Sequence, residues 1–173
     1  MSNSRAPFLT GPPEDGSFAL TDHHGRDVTE ADYRGRFMLI YFGFTHCRVV
    51  CPRALARLSE ALDLLGDSVD LIAPLYVTVD PARVTPAVMK AYLQQRYPRF
   101  TGLTGSRENT EQAKQVFRVF AERSADPEDS SGYAMPHTAL TYLVSPEGKY
   151  ITYFPDTINR DELLRRLREI VQP

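Results

Sequence analysis

Short apolar runs alternate with helix-like patterns along the chain, changing about every ten to fifteen residues, as is typical of an α/β domain. The apolar runs predict strands at residues 36–44, 70–80, 100–103, 138–145 and 149–154. The first two runs are apolar almost throughout, which is typical of strands buried on both faces of a sheet. Pro74 predicts a bulge or a late start in the second of them. Before these strands, Phe18–Leu20 and Asp27–Thr29 flank the turn-rich segment Asp22–Gly25 and predict a small hairpin.

Helical periodicity fills most of the intervals and predicts helices over residues 55–65, from 85 onward, 106–122 and 159–171. Gly66 is a stop signal for the first helix, and Thr85 followed by Pro86 is a start signal for the second. Asn159 and Glu162 form a capping-box pattern at the start of the last helix. Two parallel βαβ units followed by an antiparallel hairpin predict a mixed sheet with helices on both faces.

The length and charge of the chain limit its class. Its 173 residues correspond to one domain, which we place at residues 17–173. A net charge of -2 argues against a strongly basic nucleic-acid-binding protein. No apolar run approaches the ~18 residues that a membrane span needs. Residues 1–16 are polar and rich in Pro and Gly, which predicts a flexible lead-in without the apolar segment of a signal peptide.

The two cysteines, Cys47 and Cys51, directly follow a predicted buried strand and directly precede a helix. Chemistry in α/β folds is concentrated at this carboxyl end of the strands. The helix N-terminus and the neighbouring Arg48 are both expected to favour thiolate over thiol. Residues four positions apart share one face of a helix, so the two sulfurs are close enough for a disulfide. They are equally suited to clamp a soft metal ion, such as Cu(I) or zinc, or an iron–sulfur cluster.

Among the histidines, His137 is the best candidate for a third ligand, because it ends the long polar loop predicted at residues 123–136 and begins a strand. From the residues alone, a purely hydrogen-bonding role for His137 stays open. His46 is expected to point away from the neighbouring cysteine. His23 and His24, in the predicted hairpin turn, are expected to be exposed to solvent.

The segment Gly43-Phe-Thr-His-Cys-Arg-Val-Val-Cys-Pro52 resembles the Gly-(Phe/Tyr)-Thr-x-Cys-x-x-x-Cys-Pro signature of the SCO/SenC/PrrC family. Further segments match that family in order, and they are Ser17–Gly25, Val77–Pro81 with Thr85-Pro86, Gly102–Gly105, and His137–Leu143 with Pro146-x-Gly148. The resemblance runs from about residue 17 to residue 171. It implies a thioredoxin-like, peroxiredoxin-related three-layer sandwich, with a mixed central sheet, flanking helices and an N-terminal β-hairpin.

The resemblance also implies a function. It assigns copper, as Cu(I) or Cu(II), to Cys47, Cys51 and His137. The family prepares the binuclear copper centre of cytochrome c oxidase subunit II, so that subunit and other copper chaperones are the expected partners, with no nucleic acid. The two cysteines are also expected to act as a redox pair that cycles to a disulfide. This reading makes the protein a metallochaperone rather than an enzyme.

The family acts outside the cytosol, in the bacterial periplasm or the mitochondrial intermembrane space, and is usually anchored to the membrane. We therefore expect an extracytoplasmic, monomeric protein of bacterial type, normally anchored to the inner membrane, whose tether is missing from this chain. Four positions depart from the family pattern, namely Arg48, Val49, Val84 and Pro136. These changes remove acidic or proline residues near the site and are expected to alter copper affinity, redox potential or docking.

Other functions remain open from the sequence. A thioredoxin-like oxidoreductase without a metal would use Cys47 to attack a disulfide and Cys51 to resolve it. A peroxidase of the peroxiredoxin type is a weaker alternative, suggested by Thr45 two positions before Cys47. A plain binding domain with an unreactive cysteine pair is the third.

Overall fold

The structure is a computed structural model that describes residues 17–48 and 50–172. The predicted lead-in at residues 1–16 and the departing residue Val49 lie outside the described residues. The strands are β1 (Ala19–Asp22), β2 (Asp27–Thr29), β3 (Phe37–Gly43), β4 (Ile72–Thr78), β5 (Thr101–Thr104), β6 (Ser124–Ala125), β7 (Tyr133–Ala134), β8 (Leu140–Val144) and β9 (Tyr150–Pro155). The helices are α1 (Val50–Leu64), α2 (Pro86–Arg96), α3 (Arg107–Val116) and α4 (Arg160–Ile170).

Seven of these strands form one mixed sheet in the order β2-β1-β5-β4-β3-β8-β9. Strands β3, β4 and β5 run parallel to one another. Strand β8 is antiparallel to β3, and β9 to β8, as a C-terminal hairpin. The hairpin of β1 and β2 extends the opposite edge through an antiparallel pairing of β1 with β5. The predicted mixed α/β architecture with an N-terminal hairpin is therefore confirmed.

Strand β3 lies at the centre of the core. Its residues after Phe37 are all buried, which confirms the prediction of burial on both faces. Tyr41 and Phe42 point to opposite faces because side chains alternate along a strand. Tyr41 stacks on Tyr76 of β4, whereas Phe42 packs against Phe117, just beyond α3. Strand β3 therefore joins two apolar layers and ends, at Gly43, beside the cysteines.

The signals that begin and end the helices are confirmed. The Thr85 side chain accepts a hydrogen bond from the Val88 amide, and Pro86 is the first residue of α2. The Asn159 side chain accepts one from the Glu162 amide at the start of α4. Pro74 causes no bulge, because the pairing of β4 with β3 is continuous; pairing with β5 begins only at the next residue, Leu75. A residue without an amide hydrogen is tolerated where one edge of the strand is unpaired.

The third helix is shorter than predicted. Helix α3 ends at Val116 rather than near Glu122, because Arg118 has the left-handed φ of 56° and turns the chain. Phe120, which falls within the predicted helix, lies outside α3 and is 66% exposed. After this turn the chain is extended, and Phe120 and Thr138 pair through their backbones. The region predicted as a loop at 123–136 contains the short ribbon of β6 and β7.

Gly43 occupies a position at which a side chain has no room. A Cβ atom there would lie 2.7 Å from the Tyr76 hydroxyl oxygen and 2.8 Å from Cys51 Sγ. Both neighbours are completely buried. The end of β3, the middle of β4 and the first turn of α1 can therefore meet only at a glycine.

We expect Gly43→Ala to lower the free energy of unfolding by about 1–3 kcal/mol, because the new methyl group overlaps atoms of a packed core. Urea unfolding of the reduced protein measures this. Gly105→Ala is the control, because a methyl group there would lie 3.3 Å from its nearest neighbour, an atom of the Leu20 side chain. Equal losses in the two variants would contradict the close packing at Gly43.

Candidate metal centre

Both cysteines lie where β3 ends and α1 begins. The Cys47 amide donates to the carbonyl of Phe44 and closes a turn after the strand. Cys51 lies in the first turn of α1, and its amide donates to Cys47 Sγ at 3.4 Å. Neither residue forms a disulfide, and Cys47 is half-buried whereas Cys51 is fully buried. The predicted placement at the carboxyl end of a central strand is therefore observed.

His137 comes to the same place from the other end of the chain. Its Nε2 atom lies 3.9 Å from Cys51 Sγ. Its Nδ1 atom lies 2.9 Å from the carbonyl oxygen of Met135 and must donate to it, since a carbonyl only accepts. In the neutral ring this leaves the lone pair on Nε2, facing Cys51. The edges of Tyr41 and Phe44 hold the ring from the sides.

Two sulfurs and one imidazole nitrogen are a donor set suited to copper or zinc. Within residues 17–48 and 50–172, however, no three His, Cys, Asp or Glu side chains are already arranged to hold a metal ion. Cys51 and His137 are adjacent, so the adjustment that the site needs is a rotation of side chains rather than a change of fold. The residues present fit a soft metal in their chemistry and in their neighbourhood.

Cys51 differs from the expectation that the helix N-terminus favours its thiolate. The hydrogen bond with the Cys47 thiol, followed by burial, raises the pKa of Cys51 above its usual value. The nearby phenol of Tyr76 acts in the opposite direction but does not compensate. The expectation was wrong for Cys51 because it counted the helix and Arg48 but not the loss of water around the sulfur.

The positive charge of Arg48 is neutralised by the loop. Its guanidinium lies 2.6 Å from a carboxylate oxygen of Asp126 and 3.5 Å from one of Glu128. Asp126 and Glu128 stand in the loop that leads to His137. Arg48, one of the departures from the family pattern, therefore makes a contact between the cysteine segment and the loop that carries His137.

A second contact, centred on Arg83, ties the same loop to the end of β4. The buried Arg83 guanidinium pairs with Asp80 and with Asp129, and it donates to the carbonyl of Tyr133 at 2.8 Å. It also lies over the Tyr133 ring, 3.7 Å from its centre. Asp80 accepts a hydrogen bond from the Tyr133 hydroxyl as well.

The remaining histidines lie apart from the sulfurs. His46 makes its close contact with Asp129, 3.1 Å from Nδ1 to the carboxylate. His24 is exposed as predicted, but His23 is half-buried, and its Nδ1 accepts the amide hydrogen of Gly102. Full exposure was therefore wrong for His23, because the hairpin folds back on β5. Two of the residues that depart from the family pattern differ in their surroundings. Val84 is buried in the core, whereas Pro136 is exposed and precedes His137.

Sequence reasoning missed the tyrosines and the glycine that surround Cys51. Tyr41, Tyr76 and Gly43 looked like ordinary core positions within apolar strands. For the two tyrosines, the available signal is a polar hydroxyl group within an otherwise apolar strand, since a buried tyrosine hydroxyl usually needs a hydrogen-bond partner.

We expect Arg48→Asp to loosen the loop, because it removes the ion pairs of Arg48 with Asp126 and Glu128 and leaves only those made to Asp129. Hydrogen exchange of the Gly132 amide, which donates within the loop, should accelerate about 2–5-fold, as loss of a partly exposed ion pair allows.

The double variant Arg48→Asp/Asp126→Arg should restore the slower exchange. Arg99→Asp is the control, since Arg99 pairs with Asp63 on an exposed surface that no part of this loop touches. No change in Arg48→Asp would show that the Arg83 contacts hold the loop alone.

The chain is similar to known proteins both in sequence and in fold. The SCO1/SenC family model matches residues 9–172. Protein sco1 of Schizosaccharomyces pombe is 40% identical over 169 residues, covering 95% of this chain and 64% of that protein, so this chain spans less than two thirds of its length.

Two solved structures share the architecture. Arabidopsis thaliana ScoI with copper bound has a TM-score of 0.83 and 30% identity, covering 90% of this chain and 96% of that one. Bradyrhizobium japonicum ScoI with copper bound has a TM-score of 0.81 and 34% identity, covering 92% and 99%. The fold is thioredoxin-like, with a mixed central sheet and flanking helices. The chain belongs to the SCO1/SenC family.

Proposed function

We propose that this protein binds copper through Cys47, Cys51 and His137 and serves the assembly of cytochrome c oxidase. The observation that carries the proposal is the Nε2 lone pair of His137, directed at the buried sulfur of Cys51 from 3.9 Å. The similar ScoI proteins of A. thaliana and B. japonicum were solved with copper bound, which supports the choice of metal. The finer proposal is that the copper is destined for the binuclear centre of oxidase subunit II.

Each residue of the site has a distinct task in this proposal. Cys51 and His137 form the inner, water-poor side, and the Met135 carbonyl keeps the Nε2 lone pair of His137 available. Cys47 forms the outer side, at a cleft of about 440 Å³ that is lined by Phe44, His46 and Pro136 among others. Copper is the cargo, and a partner would take it from the Cys47 side.

The same two thiols can also reduce a disulfide, and their unequal exposure favours this as the second candidate function. Cys47 would attack a disulfide of an extracytoplasmic partner and form a mixed disulfide, releasing one partner thiolate. Cys51 would then attack Cys47 Sγ, releasing the second partner sulfur as a thiolate. Cys47 and Cys51 together lose two electrons when they form their disulfide, and the partner disulfide gains these two electrons.

We further propose that the protein acts as a monomer outside the cytosol, in the bacterial periplasm, with a membrane anchor and with other copper chaperones as upstream partners. An oxidising compartment supports a cysteine pair that cycles between thiols and disulfide. In the part of the chain that the structure describes, no helix has both the length and the apolar character to cross a bilayer.

Copper affinity tests the main proposal. We expect the reduced protein to bind one Cu(I) per chain, and Cys47→Ser/Cys51→Ser to lose this binding, because the soft thiolate donors are gone. His137→Ala should weaken binding by at least about 10–100-fold, the loss typical of removing even a supporting residue. Anaerobic titration against a competing chelator measures both effects.

The control is His24→Ala, whose imidazole is exposed after β1, away from the cysteine segment, and should leave the affinity nearly unchanged. Wild-type affinity in the double cysteine variant would refute the copper site. Full reduction of a partner disulfide by a protein that binds no copper would favour the second function.

Thiol exposure makes a separate prediction. Because Cys47 is half-buried and Cys51 is fully buried, iodoacetamide should modify Cys47 at least about tenfold faster in the native reduced protein. Peptide mapping by mass spectrometry measures the two rates, and urea-unfolded protein, in which both rates should be similar, is the control. Faster modification of Cys51 would reverse the assignment of attacking and resolving thiols.

A further inference from the structure

We propose that the Tyr76 hydroxyl, together with that of Tyr41, is a hydrogen-bond donor for the Cys51 sulfur that is used only when this sulfur binds a metal. The inference rests on the proposed function, because it concerns how the same site holds its cargo. It makes Tyr76 a positioning residue that acts on the metal through Cys51.

The first observation is that both hydroxyl groups are buried without a partner. Tyr76 is 0% exposed and Tyr41 is 1% exposed, and neither hydroxyl oxygen has a partner in hydrogen-bonding geometry. A buried hydroxyl without a partner costs free energy, and such groups are rare in native proteins. A phenylalanine at either position would fill almost the same space without this cost, so the hydroxyls need another explanation.

The second observation is the place to which the hydroxyls point. Tyr41 and Tyr76 are register partners on β3 and β4, with their rings stacked at 6.1 Å on one face of the sheet. The position that a Cβ atom of residue 43 would take lies 2.7 Å from the Tyr76 hydroxyl oxygen and 2.8 Å from Cys51 Sγ, so the hydroxyl and the sulfur approach the same point.

The chemistry of sulfur explains why the bond is absent now and expected later. A neutral thiol is a weak hydrogen-bond acceptor, so it does not orient the phenol hydroxyls toward itself. A thiolate is the form that binds metal, and hydrogen bonds to charged acceptors are shorter and about twice as strong as neutral ones. The Cys47 sulfur already has a donor in the Cys51 amide, whereas the Tyr76 hydroxyl is the group that approaches Cys51 Sγ at Gly43.

The orphaned hydroxyls therefore destabilise the metal-free protein and stabilise the metal-bound one. Hydrogen bonds around a cysteine sulfur also tune the metal, because they draw electron density away from it. Donation by Tyr76 would favour the reduced ion, Cu(I), over Cu(II).

Tyr76→Phe separates this role from a structural one, because the two roles predict different signs. Removing the orphaned hydroxyl should raise the thermal midpoint of the metal-free, reduced protein. The same change should weaken Cu(I) binding about tenfold, since it deletes a donor to a charged acceptor. It should also move the sulfur-to-Cu(II) charge-transfer band to longer wavelength.

Tyr92→Phe is the matched control. The Tyr92 ring stacks on Tyr76 at 6.1 Å and also carries a buried hydroxyl without a partner, but it lies one ring further along the stack. Its loss should leave Cu(I) affinity within about twofold and the charge-transfer band in place.

Three outcomes overturn the inference. They are a Tyr76→Phe protein that is less stable without metal, an unchanged copper affinity of Tyr76→Phe, and equal losses of copper affinity in Tyr76→Phe and Tyr92→Phe. The wild-type titration, run alongside, shows separately whether the proposed function itself fails. The stability measurement needs no copper, so it decides against the inference even if the wild type binds none.

Discussion

The Cys51 sulfur occupies a space that exists only because residue 43 has no side chain. Three elements converge there, and each brings something different: β3 its bare backbone, β4 the phenol of Tyr76, and α1 the thiol. Close packing leaves no room for water at that point, so the sulfur is surrounded by protein alone. The burial of Cys51, the inner wall of the site and the hydroxyls without partners all follow from this one approach.

The outer half of the site has a different physical basis. His137 is delivered by a loop whose position depends on charges, with Asp126 and Asp129 held by Arg48 and Arg83. One of these contacts is buried and stacked on an aromatic ring, and the other is half-exposed. The proposed ligands thus come from a rigid core on one side and from a segment held by ion pairs on the other.

The sequence was sufficient to predict the fold because the signals are local. Apolar runs, capping residues and glycines each depend on only a few neighbouring positions. Thr85 and Asn159 cap the starts of α2 and α4, and Gly66, with its positive φ, follows the end of α1, as expected. The cysteine pair and its place after β3 were equally accessible. His137 needed the family resemblance, since nothing local to it indicates that it meets Cys51.

What the sequence could not predict depends on distant partners. Arg48 looked like a free cation beside the cysteines, but its acidic partners stand 78 positions away or more. The thiolate preference expected for Cys51 failed because burial arises only in the folded chain. The overlong third helix reflected apolar spacing through Phe120, which a single left-handed residue, Arg118, interrupts.

Because Arg118 ends the helical region, the length of α3 affects the position of the proposed ligand His137. After Arg118 the chain runs beside the strand that carries His137, with Phe120 paired to Thr138 and Ala121 bridged to His137. In extended chain, a shift of one residue moves the backbone by about 3.3 Å and turns each side chain to the opposite face. An insertion or deletion between residues 117 and 121 would therefore shift the position or the direction of the His137 imidazole. This short connection, far from the cysteines in sequence, should tolerate substitution much better than changes in its length.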